Sequence, residues 1–365
     1  MKPAYIFKTL AVCFLMAVTA CSGNDGGEDS GAVVEGDLAL SISKTVIEAN
    51  GTDAVTVAVM KGETDITSQS KVYMEDPSGN TSSFKETSFS TTTEGDYVFY
   101  AYYEGVKTEN ITVRAFKNIP SLPADSKPEQ NTGFAKRVLA VQHTGTWCSN
   151  CPYMKKGIDA YVKANPDNCA VFVASHNGDT MAGDASNTVN SYLTVNYYPL
   201  LSVDLNTSNT LQALNDADLL AEQIAGRINQ AKSSGCKTAI SVASENAGSS
   251  VVVNVKVKSA NVDNCRIAVW LLEDGIVAEQ NGGSVNEVHN NVLWASSSAV
   301  AYGDRIQLDA DGAGQNVYRM DVSNVHDLSN CRLVVFTAVP NASGRFVVDN
   351  VVTCPLDGQT AFEYE

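Results

Sequence analysis

Basic residues are scarce in this chain, and long apolar runs are confined to its first 20 residues. The 365 residues contain 25 Lys and Arg against 41 Asp and Glu, which gives a formal net charge of −16 at pH 7. Because no basic cluster offsets this charge, the surface repels nucleic acid, and nucleic acid is not an expected partner. No later segment is apolar for the roughly 20 residues that a membrane-spanning helix needs.

Several well-known catalytic motifs are missing as well. The sequence contains no phosphate-binding loop, no dinucleotide fingerprint and no Ser-His-Asp order. The turn 309–312 resembles the opening of a calcium loop, but Met320 stands at the twelfth place, where such a loop needs Glu. His289 has no evident partner in the sequence, so a structural role is favoured over that of a ligand or base. We therefore expect no metal and no cofactor.

The first residues have the features of a lipoprotein signal peptide. Met1–Lys8 is positively charged, and Thr9–Ala20 is apolar but too short to span a bilayer. The seven residues that end at Cys21, LMAVTAC, fit a bacterial lipobox. We predict a signal peptide over residues 1–20 and palmitate-type acylation of Cys21, with a soluble secreted form as the alternative. Ser22 rather than Asp follows the anchor, which favours the outer membrane, on its periplasmic face or at the cell surface.

Two regions of the mature chain have the pattern of β-sandwiches. Residues 37–115 contain short alternating strands separated by turn clusters such as Asp76-Pro-Ser-Gly79, which predicts an Ig-like domain. Its aromatic residues could form a carbohydrate platform, although packing within the sheet is favoured. Residues 236–365 contain seven further strands at similar spacing, which predicts a C-terminal β-sandwich.

One stretch between these two regions contains a pair of cysteines that are candidates for thiol chemistry. Val138–Val141 is typical of a buried strand, Gly145 interrupts it, and an apolar pattern of helical period begins at Pro152. Cys148 and Cys151 therefore lie at a predicted helix N-terminus, where free N–H groups and the helix dipole stabilise a thiolate. Cys148 is the predicted nucleophile, and Cys151 is the thiol that resolves a mixed disulfide.

Other uses of a Cys-x-x-Cys pair fit this stretch less well. A c-type haem site needs His after the second Cys, and Pro152 stands there. A zinc site needs two more ligands at comparable spacing, and no second Cys-x-x-Cys or His pair is present. A purely structural disulfide stays open as an alternative to a redox pair.

The segment Trp147-Cys-Ser-Asn-Cys-Pro152 resembles the active-site motif of the thioredoxin fold. The pattern that follows agrees with this resemblance, because Cys169–Ser175 is predicted as a strand, Thr188–Val195 as a short helix, Tyr197–Asp204 as a strand and Asp216–Lys232 as a helix. The resemblance implies a thioredoxin-like domain over residues 134–235.

The same resemblance assigns substrate-binding roles. It implies that Pro199 is a cis proline beside the cysteine pair, that Pro199 and Tyr198 present the backbone of a partner, and that Trp147 shields the site. An ordinary trans proline at the start of a strand is the alternative for Pro199.

The chain departs from the thioredoxin pattern six residues before the first cysteine. Thioredoxins have a buried acid there that is thought to accept a proton from the second cysteine, whereas this chain has Gln142. Glutamine does no acid–base work, which weakens the expectation of general reductase activity but not of thiol exchange. His143 is next in sequence and points to the other face of the strand, so we expect it to be structural.

The complete order of segments predicts a multidomain protein of α/β plus all-β class. The predicted parts are a signal peptide (1–20), a flexible acidic tether from lipidated Cys21 (21–36), an Ig-like domain (37–115), a linker (116–133), a thioredoxin-like domain (134–235) and a C-terminal β-sandwich (236–365). With the motifs Leu272-Glu-Asp-Gly275 and Val288-His-Asn-Asn-Val-Leu293, this order resembles the outer membrane protein 28-related lipoproteins.

The leading functional prediction is an outer-membrane-anchored thiol–disulfide oxidoreductase that acts on thiols or disulfides of exported proteins through Cys148 and Cys151. The alternative is a surface adhesin or a glycan- or protein-binding lipoprotein that uses the thioredoxin fold as a scaffold, or a structural envelope protein. The other five cysteines of the mature chain are expected to be buried free thiols.

Overall fold

The computed structural model describes residues 38–260, 262, 264–306 and 308–365. The predicted signal peptide, the tether and the acylated Cys21 lie outside these ranges. Strands dominate the described residues, as the sequence predicted, and three α-helices lie together in the middle of the chain. No helix in the described ranges is both long enough and apolar enough to cross a membrane.

The first unit is a sandwich of short strands. Its strands are β1 (Leu38–Ile42), β2 (Val46–Glu48), β3 (Val55–Lys61), β4 (Thr64–Asp65), β5 (Lys71–Glu75), β6 (Thr81–Phe84), β7 (Ser88–Phe89), β8 (Gly95–Tyr103), β9 (Val106–Lys107) and β10 (Ile111–Phe116), with a 3-10 turn at Thr67–Gln69. One sheet contains β1, β3, β4 and β7, and the other has the order β2-β10-β8-β5-β6 with β9 beside β8.

The two sheets of this first unit enclose a common core. Residues of β8 alternate as a half-buried strand should, so that Tyr97 and Phe99 are buried while Tyr100 and Tyr102 lie on the outer face. The buried rings meet edge-on, for example Phe89 and Phe99 with centroids 5.2 Å apart. The Ig-like identity of this sandwich remains a prediction.

The predicted linker packs against the C-terminal part of the chain. Phe116, the last residue of β10 and the first of the predicted linker, is buried against Val252 and Val317. The Lys258 ammonium donates to the linker carbonyls of Lys127 at 3.1 Å and Pro128 at 2.9 Å. These contacts hold the first sandwich to the rest of the molecule.

The middle of the chain alternates strands and helices. Its elements are β11 (Val138–Thr144), α1 (Cys151–Ala164), β12 (Ala170–His176), α2 (Asp184–Tyr192), β13 (Leu200–Val203), β14 (Asn206–Gln212) and α3 (Ala217–Ser233). β11 pairs in parallel with β12 and antiparallel with β13. Each strand and helix predicted here from the sequence is present, with ends shifted by a few residues.

The last part is again built of strands. They are β15 (Thr238–Asn246), β16 (Ser250–Ser259), β17 (Arg266–Glu273), β18 (Ile276–Ala278), β19 (Glu287–His289), β20 (Val292–Ser296), β21 (Asp304–Arg305), β22 (Ala313–Asp321), β23 (Cys331–Pro340), β24 (Phe346–Pro355) and β25 (Gln359–Thr360), with a 3-10 turn at Leu328–Asn330. The sequence predicted the long strands of this set and missed the short ones, β18, β19, β20 and β25.

A single sheet runs across the predicted domain boundary at residue 235. Its order is β14-β13-β11-β12-β20-β17-β23-β24, and β12 meets β20 in parallel where Ala174 pairs with Val292. The Ala174 amide donates to the Asn291 carbonyl at 2.7 Å at this joint. The middle and last parts of the chain therefore share one sheet, which places residues near 290 beside the carboxyl end of β12.

The faces of this shared sheet are covered by different elements. On one face, Val138 and Ala140 pack under α1 and α3, while Ile267 and Val269 pack against β15, β16 and β22. On the opposite face, Trp270 belongs to a second core that includes residues of α2. Both faces are apolar, as expected for strands that are buried on two sides.

Candidate functional site

The cysteine pair lies where β11 passes into α1. Cys151 is the first helical residue, Pro152 follows it in the first turn, and Cys148 stands in the turn just before. The Cys148 amide donates to the Gly145 carbonyl at 3.0 Å, which closes that turn. The structure thus places both sulfurs at the N-terminal end of a 14-residue helix, where the dipole favours a negative sulfur.

The two cysteines are joined as a disulfide and are almost completely covered. Their Cα atoms are 5.5 Å apart. Cys148 is 5% exposed and Cys151 is 2% exposed. Cys148 therefore cannot meet a large partner unless neighbouring groups move.

Trp147 and Tyr198 lie together at the edge of the pair. The Trp147 side chain is 47% exposed, and its ring centroid lies 5.4 Å from that of Tyr198 in an edge-to-face arrangement. The Trp147 indole N–H donates to the Asn177 carbonyl at 2.7 Å, which fixes the ring. The Tyr198–Pro199 peptide bond is cis, the isomer implied by the resemblance. Pro199 is buried at the start of β13, the antiparallel neighbour of β11.

Neither polar residue before the cysteine turn is an acid. Gln142 lines the cavity beside Cys151. His143 is completely buried on the other side of β11, between Asn190 Oδ1 at 2.6 Å from Nδ1 and Ser202 Oγ at 2.9 Å from Nε2. Burial lowers the pKa of His143 to about 4, against the opposing hydrogen bond with Asn190. His143 is therefore a neutral structural residue at pH 7.

A loop from the C-terminal part of the chain covers the cysteine turn. This covering loop, residues 279–286, joins β18 to β19. The Gln280 side-chain N–H₂ group donates to the Cys148 carbonyl at 2.9 Å. The backbone amide of Asn281 donates to the Thr146 carbonyl at 2.8 Å, and its side chain donates to the Trp147 carbonyl at 3.0 Å. The turn that holds Cys148 is thus hydrogen-bonded to residues more than 130 positions away.

The strand after the covering loop brings a histidine to the site. His289, at the end of β19, lines the same cavity of about 80 Å³ as Cys151 and His176. The rings of His176 and His289 are 5.5 Å apart, edge to face. His176 Nδ1 is 2.8 Å from the Asp179 carboxylate. Burial raises the pKa of that carboxyl, but hydrogen bonds from His176, Thr146 and Met181 outweigh it and lower the pKa overall.

Sequence reasoning missed the covering loop and left His289 without a partner. The Val288-His-Asn motif did single out the histidine, and only the shared sheet reveals that it lines the same cavity as Cys151. Lys155 of α1 joins the two parts at the rim, with ion-pair distances of 3.3 Å to Asp159 and 3.2 Å to Glu287.

The remaining described cysteines are free thiols away from this site. Cys265, Cys331 and Cys354 are buried, and Cys169 and Cys236 are partly buried. Burial, with a smaller contribution from nearby carboxylates, raises the pKa of Cys265 and of Cys331 to about 12. Cys265 and Cys331 are therefore protonated and unreactive at neutral pH.

Comparison with solved structures shows the fold of a large part of the chain. HBP35 of Porphyromonas gingivalis superposes with a TM-score of 0.54 at 15% identity, covering 62% of this chain and 77% of that one. A domain of the outer membrane lipoprotein Omp28 from Porphyromonas gingivalis matches at 20% identity with a TM-score of 0.25, covering 34% of this chain and 92% of that one. No curated protein matches the sequence.

A family model also matches the sequence. Its description is outer membrane protein Omp28, and it aligns with residues 186–358, just under half of the chain. These residues include β15 to β24, the covering loop and His289. The match supports the resemblance to Omp28-related lipoproteins and confirms the predicted localisation at the outer membrane.

Proposed function

We propose that the protein is an outer-membrane-anchored lipoprotein that exchanges disulfides with exported proteins through Cys148 and Cys151. The observation that carries the proposal is a disulfide at the N-terminus of α1, next to Trp147 and the cis peptide bond before Pro199. The order of strands and helices from β11 to α3 supports a thioredoxin-like domain at this place. The anchor is the acylated Cys21.

The proposed reaction begins with the reduced pair. The Cys148 thiolate attacks one sulfur of a partner's disulfide, so that a mixed disulfide forms and the partner's other sulfur leaves as a thiolate. Cys151 then attacks the Cys148 sulfur, which closes the Cys148–Cys151 bond and releases the partner's second sulfur. Two electrons pass from the pair to the partner, and the reverse sequence oxidises a partner dithiol. The reduction potential of the pair sets the direction.

The covering loop makes access part of the proposed mechanism. Gln280 and Asn281 hold the turn of Cys148 by hydrogen bonds to its carbonyls, and Trp147 is the exposed group at the edge. A partner must displace this loop, or dock against Trp147 and Tyr198 and draw the turn outward. We therefore expect slow exchange with small thiols compared with an open dithiol site.

The test is an equilibrium titration of the mature protein in glutathione buffers, with alkylation and mass spectrometry of Cys148 and Cys151. A reversible midpoint between about −120 and −270 mV, the span of known exchange proteins, supports the proposal. Cys148→Ser and Cys151→Ser variants show which thiol forms the glutathione adduct. Cys169→Ser is the matched control, because Cys169 is a free thiol outside the pair. A pair that stays oxidised in every buffer overturns the proposal and leaves a structural disulfide.

A second candidate function, binding at the cell surface, is favoured by one feature of the first sandwich. Tyr73, Tyr100 and Tyr102 cluster on its outer face, with Tyr73 stacked on Tyr100 at 5.5 Å and Tyr102 edge-on to both. Rings that share an exposed face offer a surface to sugars or to another protein. Binding of a glycan that survives in a Cys148→Ser, Cys151→Ser variant and is lost in Tyr100→Ala supports this candidate. Binding that is unchanged in Tyr100→Ala removes it.

A further inference from the structure

His289 has a buried ring nitrogen with no hydrogen-bond partner in the part of the chain that the structure describes. The residue is 8% exposed, and the nitrogen is Nε2. A buried polar atom without a partner costs free energy, and such atoms are uncommon in folded proteins. A free imidazole nitrogen beside a functional pair therefore calls for a chemical explanation.

The cavity beside this ring connects it with the second cysteine. Its volume is about 80 Å³, enough for water, and its walls include Cys151, Gln142, His176 and His289. Cys151 is the cysteine of the pair that lines this cavity, whereas the turn of Cys148 lies under the covering loop. Proton exchange between Cys151 and His289 would therefore run through water in this shared cavity.

Charged and titratable groups reach this ring from each element packed around it. They are Lys155 and Asp159 of α1, His176 at the end of β12, Asp179 in the turn after it, and Glu287 of β19. Burial, and after it the nearby His176, lowers the pKa of His289, against opposing effects of Glu287, Asp179 and a hydrogen bond with the backbone of Ala278. The ring is therefore neutral at pH 7, with a basic nitrogen available.

We propose that His289 is the proton acceptor that activates Cys151 for resolving the mixed disulfide. This inference rests on the proposed exchange function of Cys148 and Cys151. In the step, the Cys151 S–H proton passes to His289 Nε2, and the sulfur electron pair attacks Cys148. The Cys148–Cys151 bond forms, the bond between Cys148 and the partner breaks, and the partner leaves as a thiolate.

Among the imidazoles of this cavity, His289 is the one with a fully buried ring nitrogen that lacks a hydrogen-bond partner in the described residues. Gln142, the polar side chain from β11 in the cavity, has no basic group. His176 uses its Nδ1 on the Asp179 carboxylate, which orients it as a structural partner. His289 comes from the C-terminal part of the chain, and the joint between Ala174 and Val292 places it there. The last domain would thus complete the chemistry of the cysteine pair as well as cover it.

The test separates the two steps of exchange. Reduced mature protein is mixed with glutathione disulfide, samples are quenched with acid and alkylated, and mass spectrometry follows the glutathione adduct at Cys148 and then the internal disulfide. His289→Gln should form the adduct at the wild-type rate and resolve it about a hundredfold more slowly at pH 7. The matched control is His326→Gln, which removes a histidine of the same domain whose side chain is largely exposed.

The pH profile provides a readout that a merely structural role would not change. In the wild type, the rate of resolution should fall as His289 becomes protonated below its lowered pKa and stay level near neutral pH. In His289→Gln the rate should climb with pH as the Cys151 thiol itself ionises. Equal resolution rates and equal profiles in the two proteins overturn the inference while leaving the exchange function intact.

Two other outcomes are decided by the wild-type protein alone. If the wild type never forms the adduct at Cys148, the exchange function itself fails. If His289→Gln does not fold, the pH dependence of the resolution rate in the wild type tests the inference instead. A level rate from about pH 7 to 8.5 supports an internal base, and a rate that climbs over the whole range overturns it.

Discussion

Gln280 lies directly against the turn that holds Cys148, and its side-chain nitrogen donates to the Cys148 carbonyl oxygen at 2.9 Å. The same nitrogen is 3.2 Å from the carbonyls of Gly145 and Thr146. One side-chain amide thus forms hydrogen bonds with three carbonyls of the cysteine turn and links that turn to the covering loop. The reactivity of the pair should depend on how firmly this contact holds.

Gln280→Ala should speed the reduction of the Cys148–Cys151 disulfide. Each intramolecular hydrogen bond contributes roughly 0.5 to 1.5 kcal/mol, so losing this side chain should make opening of the loop about tenfold more frequent. The measurement is the rate of reduction by dithiothreitol, followed by alkylation and mass spectrometry. Gln359→Ala is the control, because Gln359 donates to the Ser121 carbonyl far from the pair. Equal rates in both variants would show that the loop does not limit access.

Gly282→Ala should also loosen the covering loop, through steric contact. A Cβ on Gly282 would lie 2.3 Å from the Ser149 carbonyl oxygen, and the residue has a φ of +73°. Gly248→Ala is a matched control, since its φ is +85° and a Cβ there meets nothing within 4 Å. Both variants bear a backbone cost of about 1 kcal/mol, whereas Gly282→Ala must in addition displace the cysteine turn.

Thermal unfolding and disulfide reduction are measured for both glycine variants. Gly282→Ala should have a lower Tm than Gly248→Ala and a faster reduction of Cys148–Cys151. Should the two variants match in both measurements, the loop is not in contact with Ser149 in solution.

The sequence was sufficient to predict the local secondary structure around the cysteines. It was not sufficient to predict which distant residues pack against them. The run Val138–Val141, the break at Gly145 and the helical period after Pro152 predicted β11, the turn and α1, because these signals are local. Gln280 and His289 reach the site through contacts over more than 130 residues, and no pattern along the chain encodes such a contact. The joint of Ala174 with Val292 was missed for the same reason, since β20 is short and its partner is distant.

The buried thiols should resist alkylation in the native protein. Burial, with a smaller effect of Asp349, raises the pKa of Cys236 and of Cys265 to about 12, so each is protonated at pH 8. Because only the thiolate reacts, iodoacetamide at pH 8 should modify them at least about a hundredfold more slowly than after unfolding. Mass spectrometry of tryptic peptides measures the labels, and the same protein in urea provides the control. Fast labelling of Cys265 under native conditions would contradict its burial.

His143 should make the protein less stable as the pH falls. Its folded-state pKa of about 4 lies below the unfolded value of 6.5, so the unfolded chain binds the extra proton first between these values. The contribution of the neutral ring is therefore fully present above pH 6.5 and lost as the pH falls towards 4, by about 3 kcal/mol. Urea unfolding of the wild type and of His143→Gln at pH 7 and at pH 4 measures this difference.

The His143→Gln comparison isolates one group from the carboxylates that also titrate in this range. The variant should be less stable than the wild type at pH 7, because it disturbs the bonds to Asn190 and Ser202. The difference in free energy of unfolding between the two proteins should be smaller at pH 4. At that pH the wild type keeps a ring buried that is protonated in the unfolded chain, and the variant has no such ring. A gap of constant size would mean that His143 keeps an ordinary pKa and that its pocket admits water.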